Sequence, residues 1–190
     1  MSRAYRITVA ESASREIVAA DEIRSCLELL NVLPPEATAK LLSNELKARG
    51  FEETAEGPLQ RVTGSVTVTV DTCSGEVRVK VAAKQDATVE AQRNVISWDD
   101  VGESGTQTEN ATREQMKKDL QQKLDKQSEK LQADVSAELE RALAELQPEL
   151  NAIANKVTRD ALKAKAATLG SIQSVHENEA DGTLTITLEV

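Results

Sequence analysis

The feature that most constrains this chain is a stripe of apolar and small residues that keeps its phase from residue 116 to residue 157. Its members are Met116, Leu120, Leu124, Leu131, Val135, Leu139, Ala142, Leu146, Leu150, Ile153 and Val157, with Gln127 at the one polar position. The mean step is about 3.7 residues, close to the roughly 3.6 residues per turn of an α-helix. The stripe predicts a long amphipathic helix. If two such helices form a coiled coil, this period favours a weak or right-handed supercoil.

The predicted helix covers residues 111–169 and has one interruption. Glycine is absent between Glu109 and Leu169, and Gly170 follows as a C-terminal cap. Pro148 removes a backbone hydrogen bond and crowds the preceding turn, so it marks either a kink or a break into two helices. We favour a kink because the stripe passes Pro148 without changing phase.

A straight helix of this length would span about 90 Å at roughly 1.5 Å per residue, so its apolar face needs a cover. The cover is the rest of this chain, a second copy of it or another protein. A packing seam within the chain is the simplest interpretation. If the face binds a partner instead, Leu131, Val135 and Leu139 lie at its centre.

The N-terminal region, residues 1–96, combines strand and helix patterns. Residues 3–10 alternate as a strand that Ser12 and Ser14 end, and residues 22–32 form a first short helix with Cys26 on its buried face. A second helix begins after Pro34 and runs to residue 49, with Leu41, Leu42 and Leu46 inward and Gly50 as its cap. Residues 66–70 and 77–81 alternate Val with polar residues around a turn at 71–75 that exposes Cys73, which predicts a hairpin.

Three further segments complete the prediction. Residues 88–95 form a third strand suited to a sheet edge, and residues 97–110 form a polar linker. Residues 170–190 form a C-terminal hairpin that joins the N-terminal sheet, so a single domain is expected. The fold class is α+β: an antiparallel meander with two short N-terminal helices, one long amphipathic helix and a C-terminal β-hairpin.

The sequence contains no motif that specifies a reaction, and we predict no catalytic residue, cofactor or metal. His176 is the only histidine, which does not suffice for a zinc site or a nucleophile and base pair. Asp99 and Asp100 are adjacent acids in the linker, and we interpret them as solvated loop residues. Trp98 is the single large apolar residue of that segment and either fills the core or anchors a partner.

The composition of the chain disfavours some classes of binding partner. Aromatic residues are 2% of the chain and the sequence pI is near 4.8, which disfavours nucleic-acid binding by stacking or by phosphate contacts. No window has the roughly 20 apolar residues that a membrane span requires. The start MSRAYRITV has no signal peptide and the two cysteines form no paired motif, so we expect a cytoplasmic protein with free thiols.

Three stretches resemble an accessory domain of the bacterial FtsH ternary systems: SRAYRITV, LELLNVLPPEATAKLLSNELKARGFE and VTVTVDTCSGEVRVKV. They cover mainly residues 1 to 85. These conflict systems combine an FtsH-like AAA+ protease, a MoxR-type ATPase and a von Willebrand factor A protein with small accessory domains. The resemblance implies a non-enzymatic accessory protein that binds other proteins, such as the AAA+ ATPase or protease, and that is a monomer or a homodimer. The alternative is a self-assembling helical scaffold.

Overall fold

The computed structural model describes residues 5–55, 57–97, 103–178 and 183–189 of the 190-residue chain. The elements in order are β1 (Tyr5–Cys26), α1 (Pro35–Ala48), β2 (Glu52–Glu53), β3 (Leu59–Thr63), β4 (Val66–Val70), β5 (Glu76–Ser97), α2 (Glu103–Leu169), β6 (Ser171–Asn178) and β7 (Thr183–Glu189). A five-stranded sheet has the order β1-β5-β4-β3-β2, and β6 and β7 form a separate two-stranded sheet. The α+β class is confirmed, with two helices in place of three.

The chain divides into two compact units. The ribbon unit contains residues 1–21 and 82–137, and the meander unit contains residues 22–81 and 138–190. The strands β1 and β5 and the helix α2 each contribute residues to both units.

In the ribbon unit, β1 and β5 form a two-stranded ribbon along α2. Odd-numbered residues of β1 face the helix, so that Val9, Ile17 and Ala19 are buried, whereas the even-numbered residues from 8 to 20 are exposed. Ile17, Ala87 and Leu124 form a buried cluster, with Leu131 packed against it. The cluster joins both strands to the stripe of the helix.

Two polar side-chain contacts join β1 to α2 in this unit. The Nε of Arg113 lies 2.9 Å from Glu11, and the Oγ of Ser136 donates a hydrogen bond of 2.7 Å to Asp21. The two contacts are ten residues apart on β1 and 23 residues apart on α2. At about 3.3 Å per strand residue and 1.5 Å per helix residue, these distances are about 33 and 35 Å. The length of β1 between the two contacts therefore matches the length of α2 between them.

In the meander unit, α1 begins and ends as the sequence predicts. Pro35 occupies the first turn, and Leu42 and Leu46 are fully buried. Gly50 adopts a φ of 82°, and the backbone N–H of Phe51 donates to Leu46 across the last turn. This is the Schellman arrangement, whose left-handed position favours glycine, and it turns Phe51 back into the core.

The valine hairpin is also confirmed. In β4 and β5, Val66, Val68 and Val70 lie opposite Val81, Val79 and Val77, and all but Val66 are buried. A second hairpin, β3 to β4, was not predicted; it turns on Gly64 and Ser65, with a φ of 62° at Gly64. The buried apolar residues that α2 supplies to this unit are Leu139, Leu146, Leu150, Ile153, Val157, Ala161 and Ala166.

The predicted first helix at residues 22–32 is wrong. Residues 22–26 are the end of β1, and Leu27 donates a backbone hydrogen bond of 2.9 Å to Gly75. Ile23, Cys26 and Leu30, which would have formed the apolar helix face, are exposed. Ser12 and Ser14 do not end the strand either, because they point to solvent from positions that keep the alternation of β1. Pairing along β5 outweighs a marginal helical pattern here.

Other predicted elements also differ from the structure. Residues 88–95 are not a third strand but the continuation of β5, and α2 begins at Glu103, inside the predicted linker. Pro148 lies within a continuous helix on its exposed side, so the alternative of a break is wrong. The C-terminal hairpin forms its own sheet, so its predicted pairing with the earlier strands is wrong. The single-domain expectation stays a prediction.

Candidate interaction surfaces

The four residues predicted to contact a partner have different positions. Trp98 lies outside the described residues, as do Asp99 and Asp100. Leu131 is half-buried against the cluster of the ribbon unit, and Val135 and Leu139 are buried with at most 5% of their surface exposed. The stripe is thus covered by its own chain at these positions, as the packing-seam interpretation expects.

The best-formed polar site of the meander unit joins β3 to α2. Arg61 donates two parallel hydrogen bonds of 2.8 and 2.7 Å to the two carboxylate oxygens of Glu149. Its guanidinium carbon lies 4.6 Å from the centre of the Phe51 ring, and Nη1 also donates to the carbonyl of Arg49. Hydrogen bonding to Arg61 lowers the pKa of Glu149 against the opposing effect of burial, and the same pair raises the pKa of Arg61.

A second ion-pair group joins α1 to α2. Glu45 is the buried acid of α1; it accepts a hydrogen bond of 2.8 Å from Arg49 and forms an ion pair with Lys156. Burial raises the pKa of Glu45, but the hydrogen bonds from Lys156 and Arg49 outweigh it, so the pKa lies below its ordinary value. In both groups the charges are matched and hydrogen-bonded. These residues fasten α1 and β3 to the helix.

The side chains that could act as a base, a nucleophile or a metal ligand are not grouped together. His176 is exposed on β6 opposite Thr185, and Cys26 and Cys73 are exposed free thiols. The prediction of a buried Cys26 is wrong because it rested on the helix that is absent, whereas the exposed Cys73 is confirmed. Among the described residues, no three or more His, Cys, Asp or Glu side chains are grouped to hold a metal ion.

The hairpin of β6 and β7 carries a continuous aliphatic surface that is not fully buried. The pairs Ile172 with Leu188 and Val175 with Ile186 place four aliphatic residues on one face, and Leu184 extends it. Ile172 and Val175 are each 38% exposed, and the three residues of β7 are half-buried. The opposite face carries His176 and threonines. Residues 171–190 contain four acids and no Lys or Arg, so this face belongs to an acidic segment.

The ribbon unit also has two solvent-exposed surfaces, one on β1 and one between β5 and α2. The exposed face of β1 carries small residues at Ala10, Ser12 and Ser14, and Val18 is 56% exposed. A shallow polar groove follows the end of β5 and the first turns of α2, lined by Gln92, Asn94, Gln107 and Gln115 among others. Pattern analysis did not identify either surface, because it ended β1 at Ser12 and began the helix at residue 111.

Comparisons with known proteins yield one family. No curated protein and no solved structure matches this chain. In the part of the molecule that the structure describes, no helix has the length and apolarity to cross a membrane. The family match spans residues 1–190, beyond the N-terminal stretches in which the resemblance was found, and its description names an FtsH ternary system domain. The chain belongs to the family FtsH ternary system domain X5.

Proposed function

We propose that this protein is a non-enzymatic accessory component of an FtsH ternary system and that it acts by binding another protein of that system. Membership of the X5 family supports the system. The observation that carries the binding role is the half-exposed aliphatic face of the β6–β7 hairpin. A two-stranded hairpin is marginal by itself, so covering this face with a partner would stabilise it.

The hairpin also indicates what a partner should look like. An aliphatic face on a segment with four acids and no bases suits an apolar groove bordered by Lys or Arg. The family resemblance implies the AAA+ ATPase or the FtsH-like protease as the candidates. We infer a cytoplasmic location for the complex, as expected from the sequence.

The ion pairs of Glu45 and Glu149 support a structural role for these two acids. A general acid or base works best when its pKa lies near the operating pH. The pKa values of Glu45 and Glu149 are instead lowered by cationic partners, which keeps both acids ionised. The alternative, self-assembly through the helical stripe, has less support because the stripe is buried at Val135 and Leu139.

The test is direct binding between the purified full chain and the purified ATPase or protease of the same system. The Val175→Asp variant places a charge on the aliphatic face, and Thr185→Asp is the matched control on the opposite face of the same hairpin. We expect wild type and Thr185→Asp to bind alike and Val175→Asp to bind at least tenfold more weakly. Equal binding by both variants, or no binding of either partner by the wild type, would reject the proposal.

A further inference from the structure

The strand β1 is a long sheet edge. It spans 22 residues, and its one strand neighbour in the described part of the chain is β5. An edge strand presents unpaired N–H and C=O groups to any strand that can reach it, so most proteins keep edges short or place Lys or Pro on them. Residues 5–26 contain neither Lys nor Pro nor Gly. This edge is long and has neither Lys nor Pro, so it lacks three common barriers to pairing, and its charged residues are Arg, Asp and Glu.

The side chains of β1 would let another strand approach. Ala10, Ser12 and Ser14 are exposed and small, and they lie in the middle of the segment that belongs to the ribbon unit. Arg15 is about half exposed, and its contact with Asp125 is long at 3.7 Å. Its guanidinium has five N–H donors, so it can take a second carboxylate without giving up the first.

The helix-facing residues of β1 are complementary to one another when the strand is reversed about Ala13. Antiparallel pairing of two copies about this residue places Glu11 opposite Arg15 of the second copy, twice by symmetry. It also places Val9 opposite Ile17 on the side that faces the helix. The pairing reaches from Tyr5 to Asp21, which is the whole described part of β1 in the ribbon unit.

Neighbouring two-fold registers fit less well. Centring the pair on Glu11 or on Arg15 sets that residue against its own charge in the second copy. Centring it on Ser14 gives Arg6 a partner in Glu22 but places Glu11 opposite Ile17. On the side that faces the helix, the Ala13 register pairs Glu11 with Arg15 and Val9 with Ile17, whereas on the other side Arg6, Glu16 and Val18 lie opposite Ala20, Ala10 and Thr8. Like the other registers centred on a residue, it keeps the helices of both copies on the same face of a four-stranded sheet.

We propose that this protein forms a two-fold symmetric dimer by antiparallel pairing of β1 with β1 of a second copy, centred on Ala13. The occupant of this edge is a second copy because the helix-facing residues of β1 are complementary to one another when the strand is reversed. The proposal goes beyond the accessory function and does not depend on it, because dimerisation is measured on the purified protein alone.

The test uses Ser12 and Ser14, which lie opposite each other in this register and are exposed in the single chain. In the double variant Ser12→Lys with Ser14→Lys, two Lys pairs face each other across the dimer. In Ser12→Lys with Ser14→Glu, each Lys faces a Glu. Two like-charge pairs should raise the dimer dissociation constant about tenfold at low salt, and the Lys–Glu variant should recover the wild-type value or bind more tightly.

Sedimentation equilibrium of the full chain over a range of concentrations measures these constants, with circular dichroism to verify that the variants fold. The control is Thr88→Lys with Gln92→Lys on the exposed face of β5, one strand away from the proposed contact. We expect this variant to dimerise as the wild type does. A wild type that stays monomeric, a Lys–Lys variant that dimerises normally, or a Lys–Glu variant as weak as Lys–Lys would each overturn the proposal.

Discussion

Replacing Arg61 with Met should destabilise the meander unit by about 2–3 kcal/mol. The side chains of Arg61 and Glu149 are each 26% exposed, and two short hydrogen bonds join them. Removing one partner of a fully buried pair costs about 3–5 kcal/mol because the other charge is left uncompensated. The remaining exposure lets water solvate part of Glu149, which reduces that cost. Loss of the cation–π contact with Phe51 adds about 0.5–1 kcal/mol, included in the range.

The assay is amide hydrogen exchange of the α1 peptides at residues 35–48, which reports opening of this unit without assuming that the whole chain unfolds in one step. Arg61→Lys is the matched control: it keeps the charge but loses the two parallel bonds, and we expect a cost of about 1 kcal/mol. The double variant Arg61→Met with Glu149→Gln should cost less than the sum of the single changes. Additive effects, or a cost below about 0.5 kcal/mol for Arg61→Met, would refute the argument that this pair fastens β3 to α2.

Two further changes follow from the same unit. Pro148→Ala should stabilise the protein by about 1–3 kcal/mol, because it restores a backbone N–H inside α2 at an exposed position. The measurement is the midpoint of thermal unfolding, which should rise. The control is Glu145→Ala, at an exposed helix position without this backbone defect, which should give no comparable rise. The pKa values of Glu45 and Glu149 are lowered in the folded state from the ordinary 4.5, so their contribution is complete above pH 4.5 and is lost as the pH falls through their folded values. Urea unfolding at a series of pH values should show stability falling below pH 4.5, and Glu149→Gln should reduce that dependence; an unchanged profile would contradict the assignment.

Sequence patterns predicted the helices and turns correctly where local chemistry and burial indicate the same element. The two prolines, Gly50 and the leucines of α1 each point to the same helix, and the structure confirms it. The turn at Asp71 is also readable from sequence, since its carboxylate accepts hydrogen bonds from the backbone N–H of Cys73 and the hydroxyl of Ser74. The stripe predicted the long helix for the same reason: most of its positions are buried.

Patterns failed where a residue's partner lies far away in the chain. In β1 the alternation is diluted by Glu11 and Arg15 on the side that faces the helix, and their partners Arg113 and Asp125 are about a hundred residues away. In β3 only Leu59 is buried and Val62 is 61% exposed, so the strand has almost no apolar signal and depends on pairing with β4. The same limit applies to surfaces for partners, because the exposure of Val175 follows from where the hairpin packs, not from its pattern.

The two units differ in how their strands are held, and this difference makes the edge of β1 a reasonable place for a second copy. In the meander unit, β4 and β5 bury five valines, whereas the buried residues of the ribbon strands include Ala19 and Ala87. Each methylene missing from a buried side chain forgoes about 0.8 kcal/mol. Among the described residues, the ribbon unit also contains only two strands, and a third or fourth strand normally supplies the remaining stabilisation. Pairing two ribbons through β1 would give each copy of β1 a second strand neighbour and would satisfy the backbone N–H and C=O groups along its free edge. A β1–β1 dimer would thus explain both why the ribbon has few strands and why β1 is a long edge strand.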